Sequence, residues 1–201
     1  YRVVASGILI EESDIKDDLL LTHWSESVPI ATKVMTFGVA RFAVRSAGNV
    51  NSVPVWSWVY PENRLEGFSD YSVAVKPLEY YCSIIGNYPF EKLANVQSKT
   101  IFGGLENADC IFYSENSVTG KGKDEGLIAH EVAHQWFGNS VTESDWYHVW
   151  LSEGFATYMT SVYMEKHYGK DRLASERKSD REQVIHYYLH SQKPVIDTTI
   201  T

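Results

Sequence analysis

Residues 130–134 read His-Glu-Val-Ala-His, and this short segment sets a strict condition on the fold. It lies among apolar residues that predict a largely buried helix from about residue 124 through residue 137, ended by a Gly-Asn pair. Four residues advance an α-helix by about 400°, so the imidazoles of His130 and His134 emerge on one face, about one turn apart. Two histidines and a glutamate are unfavourable in a buried helix unless a partner or a metal ion satisfies them. The chain must therefore bring such a partner to this face.

The spacing H-E-x-x-H is typical of zinc hydrolases, in which both histidines bind the metal. Glu131 is rotated by about 100° from His130, so its carboxylate can flank the ion and hold a water molecule without ligating the metal. A catalytic zinc usually has three protein ligands and an open position, so a third donor is needed. Glu153 is the candidate because it follows His134 after 18 intervening residues and begins the next predicted helix. The sequence thus predicts one Zn²⁺ bound by two histidines and a glutamate, with Glu131 as the general base.

The charge balance limits the partners of this chain. Of its 201 residues 44% are hydrophobic, enough for a substantial core. Lys and Arg number 18 against 26 Asp and Glu, and the net charge of −8 argues against a nucleic-acid partner. The longest apolar runs, such as residues 3–10, are too short to span a bilayer, so no membrane segment is predicted.

Cys82 and Cys110 could pair, but two cysteines are too few for a disulfide scaffold. The compartment and the oligomeric state stay open.

Strand-like segments dominate the first half of the chain and helix-like segments the second. Alternating patterns predict strands at residues 3–10, 19–24, 35–44, 53–60, 93–102 and 109–113, with a polar break at residues 45–52. Helices are predicted at residues 69–85, 124–137, 151–168 and 171–189. Strands followed by helices indicate an α+β fold, with the helices packed beside a small sheet.

Three motifs occur in the order and at the spacing of one known family. They are G-G-L-E-N at residues 103–107, H-E-V-A-H-Q-W-F-G-N at residues 130–139 and W-L-S-E-G-F-A at residues 150–156. By these motifs the chain resembles the M1 (gluzincin) aminopeptidases. The resemblance implies an α+β, thermolysin-like zinc peptidase catalytic domain at residues 41–201, truncated at its C-terminal end. Residues 1–40 would be the C-terminal end of an N-terminal β-sheet domain, so we expect the chain to start within a longer protein.

The resemblance also implies an activity. Members of the family are zinc-dependent aminopeptidases, which hydrolyse the N-terminal peptide bond of peptides that carry a free amino terminus. The Gly-x-Met-Glu-Asn segment of the family lies on the edge strand beside the zinc cleft, where an extended peptide can pair with it. Glu106 would bind the substrate's α-amine by charge, and the backbone of Gly103 and Gly104 would contact its main chain. Leu105 replaces the usual Met with a side chain of similar size, which leaves the amine anchor intact.

Two other functions stay open. One is a bifunctional epoxide hydrolase and aminopeptidase similar to leukotriene A4 hydrolase, which uses the same kind of site. The other is a non-catalytic M1-like scaffold for protein interaction. A pure scaffold has no chemical need for three metal ligands and Glu131, so their presence argues against it.

Aromatic residues near the motifs are expected to serve packing. Trp146 and Trp150 precede the third ligand and are predicted to be core residues rather than the lining of a specificity pocket. Members of the family stabilise the oxyanion with a tyrosine downstream of the third ligand, which would here follow residue 201. Tyr187 and Tyr188 do not match its context and are predicted to pack in the last helix. We therefore expect little activity from this chain by itself.

Overall fold

The computed structural model describes residues 1–191, which contain nine β-strands and five α-helices. The first four strands form two separate antiparallel pairs. β1 (Arg2–Ala5) pairs with β4 (Phe37–Ala40), and β2 (Ile8–Ile15) pairs with β3 (Leu19–Ser25). The predicted boundary at residue 40 falls at the end of β4, and the division into two domains there stays a prediction.

A five-stranded sheet follows and forms the centre of the fold. Its members are β5 (Ala43–Val50), β6 (Val53–Val59), β7 (Leu93–Ser98), β8 (Gly104–Leu105) and β9 (Cys110–Ser114), in the spatial order β5-β6-β7-β9-β8. β6, β7 and β9 are parallel, whereas β5 and β8 are antiparallel to their neighbours. The short β8 is therefore an edge strand, and its outer side is unpaired within residues 1–191.

The predicted polar break at residues 45–52 is wrong, because most of this segment belongs to β5. The strand forms a hairpin with β6 through a two-residue turn at Asn51 and Ser52, whose φ angles are 47° and 71°. Positive φ at both central residues is typical of a tight hairpin turn. Several β5 side chains face solvent, so the strand contains polar residues and its composition resembles that of a loop.

Two helices replace the single helix predicted at residues 69–85. α1 (Arg64–Tyr71) begins after a short 3₁₀ turn that starts at Pro61, a residue whose fixed φ suits the first turn of a helix. A second 3₁₀ turn at residues 72–74 separates α1 from α2 (Val75–Ile84). The break preserves an apolar face, since Tyr71, Leu78 and Tyr81 are all buried. The helical segment thus begins earlier than its sequence pattern indicated.

The remaining helices are α3 (Glu125–Ala133), α4 (Val149–Tyr168) and α5 (Lys170–Ser191). α3 is shorter than predicted because the chain turns after its last residue and reaches Gly138, whose φ is 124°. α4 ends at Gly169, as predicted, and the φ of 88° there is one that L side chains rarely adopt. Among residues 1–191, no helix is long and apolar enough to cross a membrane.

Apolar side chains fill both faces of the central sheet. On one face the helices bury a large cluster that includes Leu93, Ile111, Ile128 and Val132. On the other face a smaller cluster surrounds Cys110 and contacts side chains of the first strands. Cys110 and Cys82 are both free thiols. The sheet therefore lies directly beneath α3, which fixes the position of the His-Glu-x-x-His segment relative to β8.

Candidate metal centre

The two histidines of the motif lie at the C-terminal end of α3. His130 belongs to the last turn and His134 is the C-cap residue, and their Nε2 atoms are 3.0 Å apart. Nδ1 of His134 is 3.0 Å from the carbonyl oxygen of Phe137, which accepts a hydrogen bond from the ring N–H. A proton held on Nδ1 leaves the lone pair on Nε2, the atom that faces His130. His134 is thus prepared to ligate through Nε2.

Glu153 extends from the first turns of α4 towards both imidazoles. Its Oε2 atom lies 3.3 Å from Nε2 of His130 and 3.6 Å from Nε2 of His134. The ligand atoms of the three residues all lie within 4.8 Å of one another. The packing of α4 against α3 therefore brings the predicted third donor beside the first two.

The separations among these three atoms can be compared with a zinc site. With bonds of about 2.0–2.1 Å and tetrahedral angles, neighbouring ligand atoms are about 3.3 Å apart. The distances of 3.0, 3.3 and 3.6 Å bracket that value. Two imidazole nitrogens and one carboxylate oxygen are also a donor set that zinc accepts. The residues present therefore fit one zinc ion.

Glu131 is buried next to this cluster. Burial raises the pKa of Glu131 to about 8; the imidazole of His134 opposes the shift, and the carboxylates of Glu106 and Glu153 add to it. Burial lowers the pKa of His134, but the same three carboxylates outweigh it and the net shift is upward. Hydrogen bonds from His130 and His134 hold the pKa of Glu153 well below its usual range. Three carboxylates around two imidazoles form a setting that favours a bound cation.

The two glycines of the G-G-L-E-N motif differ in their relation to Glu131. A Cβ atom added at Gly104, in the edge strand β8, would fall on the carboxylate of Glu131. A Cβ added at Gly103 would make only ordinary contact with Leu127, at 3.6 Å. The close approach that glycine allows is therefore used at position 104 and not at position 103.

Glu106 follows β8 and is half-buried. Its negative charge raises the pKa values of both Glu131 and His134, and it lies two residues after Gly104, whose backbone adjoins the carboxylate of Glu131. Its backbone carbonyl oxygen accepts hydrogen bonds from the side chains of Gln135 and Asn139. The structure thus brings together His130, Glu131, His134, Glu153, Gly104 and Glu106 in one region.

The family model described as the peptidase family M1 domain matches residues 70–199. The chain belongs to peptidase family M1. This match confirms the resemblance that the three motifs indicated. It covers three strands of the central sheet, β7, β8 and β9, and all three helices that follow them, including both helices of the candidate metal centre.

Individual M1 relatives agree with this assignment. Glutamyl aminopeptidase of Bos taurus is 28% identical over 180 residues, which are 83% of this chain and 19% of that protein. Endoplasmic reticulum aminopeptidase 2 of Homo sapiens is 30% identical over 170 residues, 79% of this chain and 18% of that protein. The chain therefore spans about a fifth of the length of these curated relatives.

A solved structure supports the fold of this M1 chain. The crystal structure of an M1 zinc metallopeptidase from Deinococcus radiodurans superposes with a TM-score of 0.76 at 23% sequence identity. The superposition covers 98% of this chain and 44% of that one. The predicted α+β fold with a small mixed sheet is thereby confirmed.

Three polar residues of the site received no role from the sequence. Ser152 is buried, and its Oγ lies 3.2 Å from Nδ1 of His134 and donates to the carbonyl oxygen of Phe137 at 3.2 Å. Gln135 and Asn139 contact the segment that contains Glu106. All three lie inside the M1 motifs, and Gln135 and Ser152 are adjacent in sequence to predicted ligands. This position in the motifs was the sequence signal that could have identified them.

The predictions for the nearby aromatic residues are wrong. Trp146 and Trp150 are 65% and 41% exposed and do not belong to the core. Trp146 instead lies under the ammonium group of Lys33, 5.4 Å from the ring centre. Tyr187 and Tyr188 are exposed on α5 rather than packed. Helical spacing of aromatic residues does not reveal which face another element covers, and this information is tertiary.

Proposed function

We propose that this M1 chain is the metal-binding part of a zinc-dependent aminopeptidase that hydrolyses the N-terminal peptide bond of peptides. The supporting observation is that His130, His134 and Glu153 converge from two helices at separations suited to one ion. The relatives are named as aminopeptidases, which agrees with this activity. The charge of Glu106 beside the cluster supports a preference for substrates with a free amine.

The metal ligands in this proposal are His130, His134 and Glu153. Zinc, when bound, polarises a carbonyl group and lowers the pKa of water in contact with it. Glu131 would accept a proton from the attacking water at its carboxylate and deliver a proton to the nitrogen of the leaving amine. The water oxygen bonds to the carbonyl carbon as the C–N bond breaks, so atoms and protons balance. Burial of Glu131 keeps competing bulk water away from this proton transfer.

Substrate orientation would come from β8 and the residue that follows it. The unpaired side of an edge strand can hydrogen-bond to an extended peptide. Gly104 has no side chain between the backbone and Glu131, so a peptide main chain can lie close to the general base. The carboxylate of Glu106 would bind the ammonium group of the first residue, which makes the enzyme count from the amino terminus.

Metal analysis tests this proposal directly. Elemental analysis of the purified chain should give one zinc per molecule, and Glu153→Ala should lose most of it because one of three protein ligands is removed. Glu182→Ala on the exposed α5 is the matched control and should keep the metal. Equal zinc in Glu153→Ala and the control would show that the third ligand is wrongly assigned.

The alternative functions predict different results in solution. An epoxide hydrolase would open an epoxide substrate as well as cleave an aminoacyl arylamide, and both activities would need Glu153. A non-catalytic scaffold would keep its binding partners after the zinc is removed with a chelator. The complete donor set supports an enzyme over a scaffold.

A further inference from the structure

Gln135 is a fully buried side chain that connects α3 with the segment after β8. Its Oε1 atom accepts a hydrogen bond from the backbone N–H of Asp109 at 2.8 Å. Its Nε2 atom donates to the carbonyl oxygens of Glu106, at 3.2 Å, and Asn107, at 3.4 Å. One side chain thus holds both ends of the segment 106–109.

Asn139 contacts the same carbonyl group. It is 2% exposed, and its Nδ2 atom donates to the carbonyl oxygen of Glu106 at 2.5 Å. Its Oδ1 atom is buried and has no hydrogen-bond partner within residues 1–191. The carbonyl oxygen of Glu106 therefore receives two side-chain amide donors, one from Gln135 and one from Asn139.

Both amides belong to the turn that follows the second histidine. Gln135 is adjacent to His134, and the backbone N–H of Asn139 donates to the carbonyl oxygen of His134 at 3.1 Å. The backbone N–H of Gly138 donates to the carbonyl oxygen of Val141 at 2.8 Å, which closes the turn. The main chain of Glu106 is therefore tied to the backbone that places a metal ligand.

The far end of the segment is also fixed. Asp109 is buried and forms an ion pair with Lys92 at 2.5 Å. Its second carboxylate oxygen accepts the backbone N–H of Gly7 at 2.9 Å, and Lys92 donates to the carbonyl oxygen of Ala5 at 2.9 Å. These bonds connect residues 106–109 to the first strands. The segment is therefore anchored at Asp109 independently of Gln135 and Asn139, so loss of either amide would change its distance from the turn after His134.

We propose that Gln135 and Asn139 are positioning residues that set the distance between the carboxylate of Glu106 and the metal centre. They hold the carbonyl group of Glu106 and contribute no ligand to the metal. The inference rests on the proposed function, in which Glu106 binds the substrate amine. Its consequence is that the two amides determine how strongly the site prefers a free α-amine over a ligand that lacks one.

Gln97 provides a matched control for a purely structural role. It is 1% exposed and lies on β7 of the same sheet. Its Oε1 accepts the backbone N–H of Tyr60 at 2.8 Å, and its Nε2 donates to Asn63 at 3.0 Å. Each glutamine is buried and forms hydrogen bonds through both Oε1 and Nε2, but of the two only Gln135 contacts Glu106.

The test measures the affinity of the zinc-loaded chain for two ligands by titration calorimetry. Leucine hydroxamate has a zinc-binding group and an α-amine, and 4-methylpentanohydroxamate is the same molecule without the amine. The ratio of their affinities reports the preference for the amine. Zinc affinity is measured separately by competition with a chromophoric chelator, and melting temperature by circular dichroism.

We expect Asn139→Ala and Gln135→Met to reduce the amine preference by about five- to tenfold, the effect of one or two hydrogen bonds. Zinc affinity should change by less than about threefold, since neither side chain is a ligand or hydrogen-bonds to the side chain of one. Gln97→Met should lower the melting temperature and leave the preference unchanged. Glu106→Gln, which removes the charge, should reduce the preference by about tenfold or more.

Each outcome has one interpretation. A preference that is lost in Glu106→Gln but kept in both amide variants overturns the positioning role alone. A fall in zinc affinity that accompanies the lost preference also overturns it, because the amides would then be supporting the metal ligands. An unchanged preference in Glu106→Gln shows that the amine-binding role of Glu106 is wrong, and the inference falls with it. If Gln135→Met does not fold, Asn139→Ala decides, since it removes a single hydrogen bond.

Discussion

α4 and α5 follow one another in the chain and have similar lengths of 20 and 22 residues, but they differ in how much of each is covered. α4 buries Ser152, Ala156, Met159 and Tyr163. Within its described length, α5 buries a single residue, Leu173. The candidate ligand Glu153 lies on the covered helix. A regular helix alone thus gives no site, and contact with a second helix is what places a side chain.

Polar contacts show the same difference. α4 is tied to α3 at one end by Ser152 beside His134, and at the other end by Tyr163 and Tyr168, whose hydroxyls each donate to Glu125 at 2.5 Å. In α5 the ion pair Arg172–Glu176 joins residues one turn apart on the exposed surface. The contacts between α3 and α4 fix one helix relative to the other. The ion pair within α5 stabilises that helix alone.

The largest expected effect of any substitution is the loss of hydrolytic rate in Glu131→Gln, which changes a residue of α3. Glutamine keeps the size of the side chain but cannot accept a proton, so hydrolysis of an aminoacyl arylamide should fall by about 10²- to 10⁴-fold. Zinc content should stay the same. The rate is measured on a longer chain that contains these residues and hydrolyses the arylamide, with Glu182→Gln on α5 as the control. A loss of zinc that parallels the loss of rate would contradict the general-base role.

A large change in stability is expected for Ile128→Ala in α3. Ile128 is buried in the main core, and its truncation should lower the free energy of unfolding by about 2–5 kcal/mol. The paired change Val184→Ala on the exposed face of α5 should have an effect within about 0.5 kcal/mol. Urea denaturation followed by circular dichroism measures both. Similar values for the two variants would remove the distinction between the helices.

A smaller change is expected for Tyr163→Phe in α4. The substitution removes one hydroxyl donor to Glu125 and keeps the ring, so it should lower the free energy of unfolding by about 1 kcal/mol. Tyr187→Phe on α5 removes an exposed hydroxyl and should have no measurable effect. The same denaturation experiment compares them, and a neutral Tyr163→Phe would mean that the hydroxyl does not tie α4 to α3.

The smallest expected effect is on the pH dependence of stability, through the hydrogen bonds that Glu125 of α3 accepts from α4. Burial raises the pKa of Glu125, but hydrogen bonds from Tyr163 and Tyr168 outweigh it and the net shift is downward. The unfolded chain therefore takes up this proton at higher pH than the folded chain. The stabilisation is fully present above the unfolded pKa and is lost as pH falls through the folded pKa.

We expect the wild-type chain to lose a few tenths of a kcal/mol more stability than Glu125→Gln between neutral pH and about pH 3. Glu182→Gln on the exposed α5 is the control and should follow the wild-type pH dependence. Parallel pH profiles for the wild type and Glu125→Gln would show that this carboxylate does not contribute. The comparison uses unfolding free energies at several pH values.

Local sequence predicted the helices of the second half better than the strands of the first. α4 and α5 were expected at residues 151–168 and 171–189 and lie at Val149–Tyr168 and Lys170–Ser191, because a glycine separates two strong helical patterns. β5 was missed because a strand with one face in solvent contains as many polar residues as a loop. Its pairing with β6 is a property of two segments together.

The sequence by itself determined the fold class, the family and the helix on which two histidines share a face, because helical periodicity and the donor number of zinc are local rules. Only the tertiary structure decided that Glu153 lies within 3.6 Å of both imidazoles and that two amides hold the carbonyl group of Glu106. These distances depend on how α4 and β8 pack against α3. Such packing arises from contacts between residues far apart in the chain, which no local pattern specifies.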